Sequence, residues 1–429
     1  VVDKDFGSYY QILDWDDGAE YVAPNKGLLF TLDDYYQMSY ITFAEPEDIA
    51  SYGRVSVYYY DKEHPDGVYA QNVSVLQRSD GKGRNYYLIK LAEPITANKV
   101  KLGFARSYNL RDIEISEVNF YHYDSLEDDI LALYADDLHA SLKEGVTEET
   151  INALQKRLDT VDEKSGEYHP ERAVLQRELD NAKGLLTSDL RDIIQINTKI
   201  TAAKDGHLGF SGLNAWQPLG VTAYEGEQLV IYVGHNQLKT GSNSALRLIA
   251  TQYHAEAGAF ASQVATLKVG RNEITIPAIQ SLACEGGGAL YVQYTGNNEN
   301  ERYAVRVSGG AKEPILNLYG ITDTQKRKEL ITAYVKELEE HVAAQKDLHK
   351  QIHQAAGENN KVNREYDAQN CILGATDIMM DKMMVSVSAE RILAGLGSGG
   401  TEAKADQLDK SLQAMEEMMA FFYHHKGLS

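Results

Sequence analysis

Only two cysteines, Cys284 and Cys371, occur in 429 residues, and they stand far apart with no CxxC pair. That spacing excludes zinc fingers and thiol redox motifs. No run of eighteen apolar residues exists, so nothing in the sequence crosses a membrane as a helix. Positive charge is short: 42 Lys and Arg stand against 63 Asp and Glu, a formal net charge of −21 with a pI near 5.0. A surface this negative repels phosphate backbones and anionic lipid, which argues against nucleic acid and polybasic-type membrane binding. The opening Val1-Val-Asp-Lys4 lacks the basic-then-apolar pattern of a secretion signal. We expect a trimmed chain, for reasons that come from its other end.

What is present is globular. Hydrophobic residues make up 43% and charged residues 24%, enough for buried cores, and the length predicts three or four domains. Tyr dominates the aromatics, with 28 against 9 Phe and 2 Trp. Its flat apolar ring with a polar tip suits strand packing and sugar contacts alike.

Residues 1–124 alternate with period two, as in Arg54–Tyr60, Asn72–Leu76, Tyr86–Leu91, Lys99–Phe104 and Ile113–Tyr121, with turn clusters between the runs. This predicts an antiparallel β-sandwich. The period then changes. Leu126, Ile130, Leu133, Tyr134 and Leu138 share a helical face, followed by Ile151, Leu154, Leu158 and Val161, and then by Val174, Leu175, Leu179, Leu185 and Leu186. Residues 125–196 are therefore predicted to form an acidic three-helix spacer bundle, with 18 acidic against 8 basic residues between Asp124 and Asp192 giving a solvated face. Residues 197–314 return to strand patterns punctuated by glycine, a second sandwich. From 315 to 429 the pattern is read as helical, with a capping box at Thr322-Asp-Thr-Gln325, a helix over about Asp367–Leu396 and another over about Glu402–His425 stopped by Gly427. The expected fold is thus multidomain β and α: two antiparallel sandwiches separated by a helical bundle and followed by a helical region.

Zinc hydrolysis needs two imidazoles one helical turn apart and an adjacent carboxylate, which HExxH supplies. The nearest phrase is His349-Lys-Gln-Ile-His353, where Lys350 stands in place of the acid and opposes a cation. The adjacent His424 and His425 point about 100° apart on a helix and chelate poorly together. Asp14-Trp-Asp-Asp-Gly18 opens like a calcium loop, but the closing Glu is missing, so structural calcium competes with a plain acidic turn. Glu285-Gly-Gly-Gly288 lacks a phosphate-loop Lys and precedes a strand, so it reads as a turn. Seven of the eight methionines, Met379, Met380, Met383, Met384, Met415, Met418 and Met419, recur at helical spacing and read as a packing stripe.

The phrases Pro218–Gly234, Gly286–Tyr294 and Val305–Gly310 with Pro314 resemble the β-sandwich that leads into the catalytic domain of enhancin-like zinc metallopeptidases. That family, from gut bacteria and insect viruses, degrades mucins and other O-glycosylated proteins. The resemblance covers about 197–429, with the helices after Pro314 similar to the start of the peptidase domain. The family's HExxH and downstream Glu are absent, so no catalytic or metal residue carries over, and zinc is expected in a region beyond this chain. Residues 1–124 more distantly resemble a galactose-binding-like (discoidin-type) sandwich, mainly through Leu110–Tyr121. Such domains hold sugars in loops at one end, and Trp15, Tyr59, His64, Arg84 and Tyr108 are the residues of suitable type.

These readings imply the accessory, substrate-positioning part of a secreted bacterial peptidase acting on host mucins or other glycoproteins. The alternative is a surface glycan-binding or adhesion protein with no enzymatic partner. A helical interaction protein built on the Met-rich C-terminal segment is a third.

Overall fold

In the first sandwich the alternating runs fall on strands, with Tyr86–Leu91 and Lys99–Phe104 joined in one long strand that serves both layers beside a second long strand, Leu28–Ala44, not among those runs. A computed structural model describes residues 8–12, 16–17, 27–46, 52–79, 85–106, 113–163, 166–200, 216–224, 226–254, 258–277, 287–356, 375–381, 383–425 and 427. Contacts divide the chain into two compact units, residues 1–131 with 149–176 and residues 132–148 with 177–429.

The first unit contains β1 (Tyr10–Ile12), β2 (Asp16–Asp17), β3 (Leu28–Ala44), β4 (Tyr52–Tyr60), β5 (Val68–Tyr69), β6 (Ser74–Ser79), β7 (Asn85–Arg106), β8 (Ile113–Ile115) and β9 (Glu117–His122). The main sheet runs β5-β4-β7-β3-β9. β3 pairs with β7 from Leu28↔Leu102 to Met38↔Ile95 and again from Tyr40↔Lys90 to Phe43↔Tyr87. Between those ladders, residues 91–94 of β7 face Ser39 alone. Pro94 has no N–H to give a ladder, so the break falls where the sheet can bend from one layer to the other. β4 extends one half along 99–106 and β6 the other along 85–90. Side chains of both halves meet in one core, with Ile41, Ile89, Val100, Leu102, Phe104, Ile113 and Ile115 fully buried. Each such side chain stabilises the fold by roughly 2 kcal/mol relative to exposure.

The opposite face of the second half, with Tyr40, Leu88 and Tyr121, is covered by helical chain. Glu127 on α1 (Leu126–Leu131) accepts Lys90 Nζ at 2.6 and 2.7 Å and the Tyr40 hydroxyl. Tyr86 donates to the Pro170 carbonyl at 2.7 Å. Arg157 on α2 (Glu148–Leu158) bridges Asp124 and Asp129. α3 (Arg172–Thr187) follows. The free-standing bundle expected over 125–196 is therefore divided between the two units. Its acidic residues are not all solvated either: Glu171 and Glu178 are 1% and 3% exposed and paired. The first helix also stops at Leu131 instead of running to Leu138. Asp136 Oδ1 takes the Leu138 N–H at 3.0 Å, His139 is left-handed (φ 56°), and Tyr134 bridges to Leu142. Local side-chain and turn bonds win over the helical period there.

The second unit holds β10 (Ile194–Ile196), β11 (Trp216–Tyr224), β12 (Gln228–His235), β13 (Asn243–His254), β14 (Gly258–Lys268), β15 (Gly270–Thr275), β16 (Gly287–Tyr294), β17 (Tyr303–Ser308) and β18 (Ala311–Lys312). Two sheets, β10-β17-β12-β15 and β14-β13-β16-β11-β18, contribute to one core in which Val221, Ile231, Leu246, Leu248, Leu290, Val292 and Val305 are fully buried. This is the predicted second sandwich. The glycine phrase differs in detail: Gly287 and Gly288 already belong to β16, while Glu285 and Gly286 lie outside the described residues.

Beyond it come β19 (Ile315–Asn317), α4 (Thr324–Ala356), β20 (Ala375–Met379), β21 (Met384–Ser388), α5 (Ala389–Gly395) and α6 (Thr401–His425). Of the helix expected over 367–396, residues 367–374 and 382 lie outside the described residues, and the rest is corrected to a hairpin and a short helix. Thr376, Ile378, Val385 and Val387 are β-branched and alternate, β20 pairs in parallel with β19, and Met379 faces Met384 across the turn. The methionine spacing there reflects a hairpin, not a helical stripe. Met379 and Met380 are buried at 7% and 2% exposure, so the packing reading holds for them, whereas Met415 and Met418 on α6 are 36% and 60% exposed and are not core. α4 is capped by Asp323, whose Oδ1 accepts the Lys326 N–H at 2.6 Å. α4 and α6 pack through Ile331, Val335, Leu338, Leu408 and Leu412. Arg327 on α4 pairs with Asp409 and Glu416 on α6.

Candidate functional site

The β4–β5 hairpin of the first unit is where the described sugar-type residues gather. Three consecutive tyrosines end β4, and strand alternation sends the middle one the opposite way from its neighbours. Tyr59 pairs with Val100 and Val68 and packs against the sandwich core. Its hydroxyl is pushed up by burial first, then by Asp61 and Glu63. Tyr58 instead stands edge-on to Tyr60 and Tyr69, with ring centroids 5.4 and 4.8 Å away. The Tyr58 hydroxyl donates to the carbonyls of Asp66 and Gly67, each at 2.9 Å, and so fastens the turn to the strand.

The turn itself follows from its residues. Asp61 Oδ1 accepts the Glu63 N–H at 2.9 Å and lies 2.9 Å from His64 Nδ1. His64-Pro-Asp-Gly67 closes through Gly67 N–H to the His64 carbonyl at 2.9 Å, with Gly67 at φ 84°. His64 is exposed on this tip, turned toward Asp61. The segment then crosses back past β4, with Asn72 left-handed at φ 52°, and leaves a groove of about 490 Å³. Arg54, Ser56, Tyr69 and Asn72 supply its polar and aromatic lining. An aromatic face beside guanidinium and amide donors is the chemistry that stacks on a sugar ring and bonds its hydroxyls.

Of the five sugar-contact residues read from the sequence, the structure places His64 on this tip and Tyr59 against the core. Trp15, Arg84 and Tyr108 lie outside the described residues. Tyr58, Tyr60, Tyr69, Arg54 and Asn72, which are not among those five, gather at the hairpin and its groove. The signal was available for the tyrosines, since alternation alone puts 58 and 60 on the face opposite 59. The groove was not legible, because it depends on where residues 69–75 cross.

Among the described residues of the second unit, no hydrolytic constellation is assembled. His349 and His353 lie on α4, but their side chains are outside the described residues. Among the described residues no three His, Cys, Asp or Glu side chains converge as a metal site. No described helix is long and apolar enough to cross a membrane.

No family model and no curated protein matches the chain. Solved structures do. The structure of the CBM32-1, CBM32-2 and M60 catalytic domains from Clostridium perfringens ZmpB is 20% identical, with a TM-score of 0.57, over 96% of this chain and 39% of that one. The ZmpB metallopeptidase from the same organism is 21% identical over 52% of this chain and 40% of that one, with a TM-score of 0.34. A metallopeptidase from Bacteroides thetaiotaomicron is 15% identical over 63% of this chain and 37% of that one, with a TM-score of 0.31. The first likeness is one of fold along nearly the whole chain. It agrees with the resemblance to enhancin-like peptidases that the phrases of 218–314 carry. The chain spans 39% of the length of that structure.

Proposed function

We propose that the chain is the accessory, substrate-positioning part of a secreted zinc metallopeptidase acting on mucin-type O-glycosylated proteins, with the zinc held in a part of the protein outside this chain. The observation that supports this is the fold shared, over 96% of the chain, with a structure comprising two CBM32 domains and an M60 catalytic domain. In this reading the first unit binds glycan, through the β4–β5 hairpin and the Arg54 groove, with Trp15, Arg84 and Tyr108 as further candidates by residue type. The second sandwich and the helices after it lead into the peptidase domain.

The test pairs this chain with a longer polypeptide extended through a downstream HExxH. The chain alone is expected to bind mucin-type glycans on an array and to leave mucin intact, and the longer form to cut it. Mucin cleavage by this chain, or a parent protein with no zinc motif, defeats the proposal. In the second case, glycan binding that persists favours a non-enzymatic adhesion protein.

A further inference from the structure

Where the second sandwich hands over to the C-terminal sheet, two carboxylic acids are sealed together. Glu313 follows β18, Asp377 lies in β20, and they are 1% and 0% exposed. The backbone fixes them there. Glu313 N–H donates to the Gly220 carbonyl at 2.9 Å, and Asp377 N–H to the Pro314 carbonyl at 3.4 Å. Asp377 Oδ1 accepts the Tyr291 hydroxyl at 3.1 Å, and that hydroxyl is 3.3 Å from Ser386 Oγ. Among the described residues, no donor from another group reaches either Glu313 oxygen or Asp377 Oδ2.

Among the described residues, the surrounding groups offer no counter-charge. Tyr291 comes from β16 and Ser386 from β21. Tyr334 on α4 shares a 2.7 Å hydrogen bond with Thr376, which itself donates to the Pro314 carbonyl. Lys312, next to Glu313 in sequence, has a side chain 56% exposed that pairs with Asp192 and Glu337. Two ionised carboxylates here would be buried, adjacent and uncompensated, a state that proteins avoid by keeping a proton. One acid O–H turns a Glu313 oxygen into a donor for Asp377 Oδ2, which otherwise has none among the described residues.

We propose that Glu313 keeps its proton at neutral pH and donates it to Asp377, so that an acid–carboxylate hydrogen bond clamps the second sandwich to the C-terminal sheet and loosens as the pH rises. Burial pushes Glu313 far up, and the Asp377 charge and hydrogen bond push it further. Burial also raises Asp377, while Ser386, Tyr291 and Glu313 pull the other way. A folded-state value above the unfolded one gives stability that is fully present below the ordinary Glu value near 4.5 and is lost as the pH rises through the raised value.

The experiment melts the full chain, wild type beside Glu313→Gln, at about pH 5.5 and about pH 8.5, with and without calcium, and records the protonated-carboxyl infrared band. Gln keeps a donor toward Asp377 but titrates at neither pH. The second unit's transition is expected to fall toward alkaline pH in the wild type and to fall less in the variant, which links about one proton fewer to folding. The infrared band should be present at neutral pH and lost in Glu313→Gln. Equal pH slopes, or no such band in the wild type, overturn the proposal. So does calcium stabilisation confined to the wild type, since the pair would then be a cation site. If Glu313→Gln fails to fold, the wild-type band decides: persistence above the ordinary carboxylate range supports the clamp and absence overturns it.

Discussion

The guanidinium of Arg78 grips the carboxylate of Glu171 through two parallel hydrogen bonds, Nη2 to Oε1 at 2.8 Å and Nε to Oε2 at 3.0 Å. Arg78 projects from β6, and Glu171 precedes α3 with its side chain 1% exposed. The bond to Glu171 raises Arg78 above its usual value, so the guanidinium stays charged. Arg78→Met strands a buried carboxylate and is expected to cost about 3 kcal/mol of first-unit stability in urea unfolding. Arg78→Met with Glu171→Met should recover most of that loss, because two apolar side chains leave no orphan charge. Equal loss in single and double variants would show that the packing of the arginine stem, not the ion pair, matters.

Glu178 in the second unit behaves in the opposite sense to Glu313. Burial alone would raise it, but His139 Nδ1 at 3.2 Å and the Thr240 N–H at 3.3 Å outweigh burial and hold it below the usual range. A depressed folded value gives stability that is present above the ordinary Glu value and is lost as the pH falls through the folded one. The second unit should therefore lose stability on acidification. In His139→Ala, that loss should begin at a higher pH. Tm recorded from about pH 6 down to about pH 3 checks this, and an unchanged acid limb would remove His139 from the account.

Much of this fold can be read from the sequence wherever one period dominates. The alternation of Arg54–Tyr60 and Gln228–Val233 gives β4 and β12 directly. Elsewhere a tertiary partner decides. Residues 375–388 carry apolar residues at spacings compatible with helix or strand, and pairing of Ala375–Met379 with Ile315–Asn317 and with Met384–Ser388 selects the strands. Leu133, Tyr134 and Leu138 continue the helical face of α1, yet turn bonds around Asp136 end the helix first. In the candidate site the aromatic run was visible, but the groove depends on a crossing segment, and the Glu313–Asp377 pair joins residues sixty-four positions apart in sequence.

The groove beside β4 makes its own prediction under the proposed function. Arg54 and Asn72 line it without belonging to the core, so Arg54→Ala and Asn72→Gly should leave the melting curve within about 0.5 kcal/mol of wild type. Each should weaken glycan binding roughly fivefold or more, the worth of one lost hydrogen bond. Tyr59→Ala should instead lower stability, because its ring packs on the core. Titration calorimetry with a mucin-type oligosaccharide, beside thermal melts, separates the two effects. Unchanged affinity in both groove variants would remove the groove from the account and leave Trp15, Arg84 and Tyr108 as the candidates.

Two glycines in the second unit test how closely its segments approach. A Cβ on Gly234 of β12 would lie 2.2 Å from the Leu138 carbonyl oxygen, which is backbone and cannot swing aside. A Cβ on Gly184 of α3 would meet the Tyr232 hydroxyl at 2.5 Å, but that atom is the far end of a side chain, held to Ser188 at 2.8 Å. Gly234→Ala must shift backbone in a packed interior and is expected to cost about 3 kcal/mol, the upper end of overpacking penalties. Gly184→Ala gains about 1 kcal/mol of helix propensity against the displaced tyrosine and should cost far less. Denaturant midpoints of the two variants give the ranking. If Gly184→Ala proved the more damaging, the Tyr232–Ser188 hydrogen bond would be the more rigid of the two approaches, and the 132–148 segment could yield to make room at Gly234.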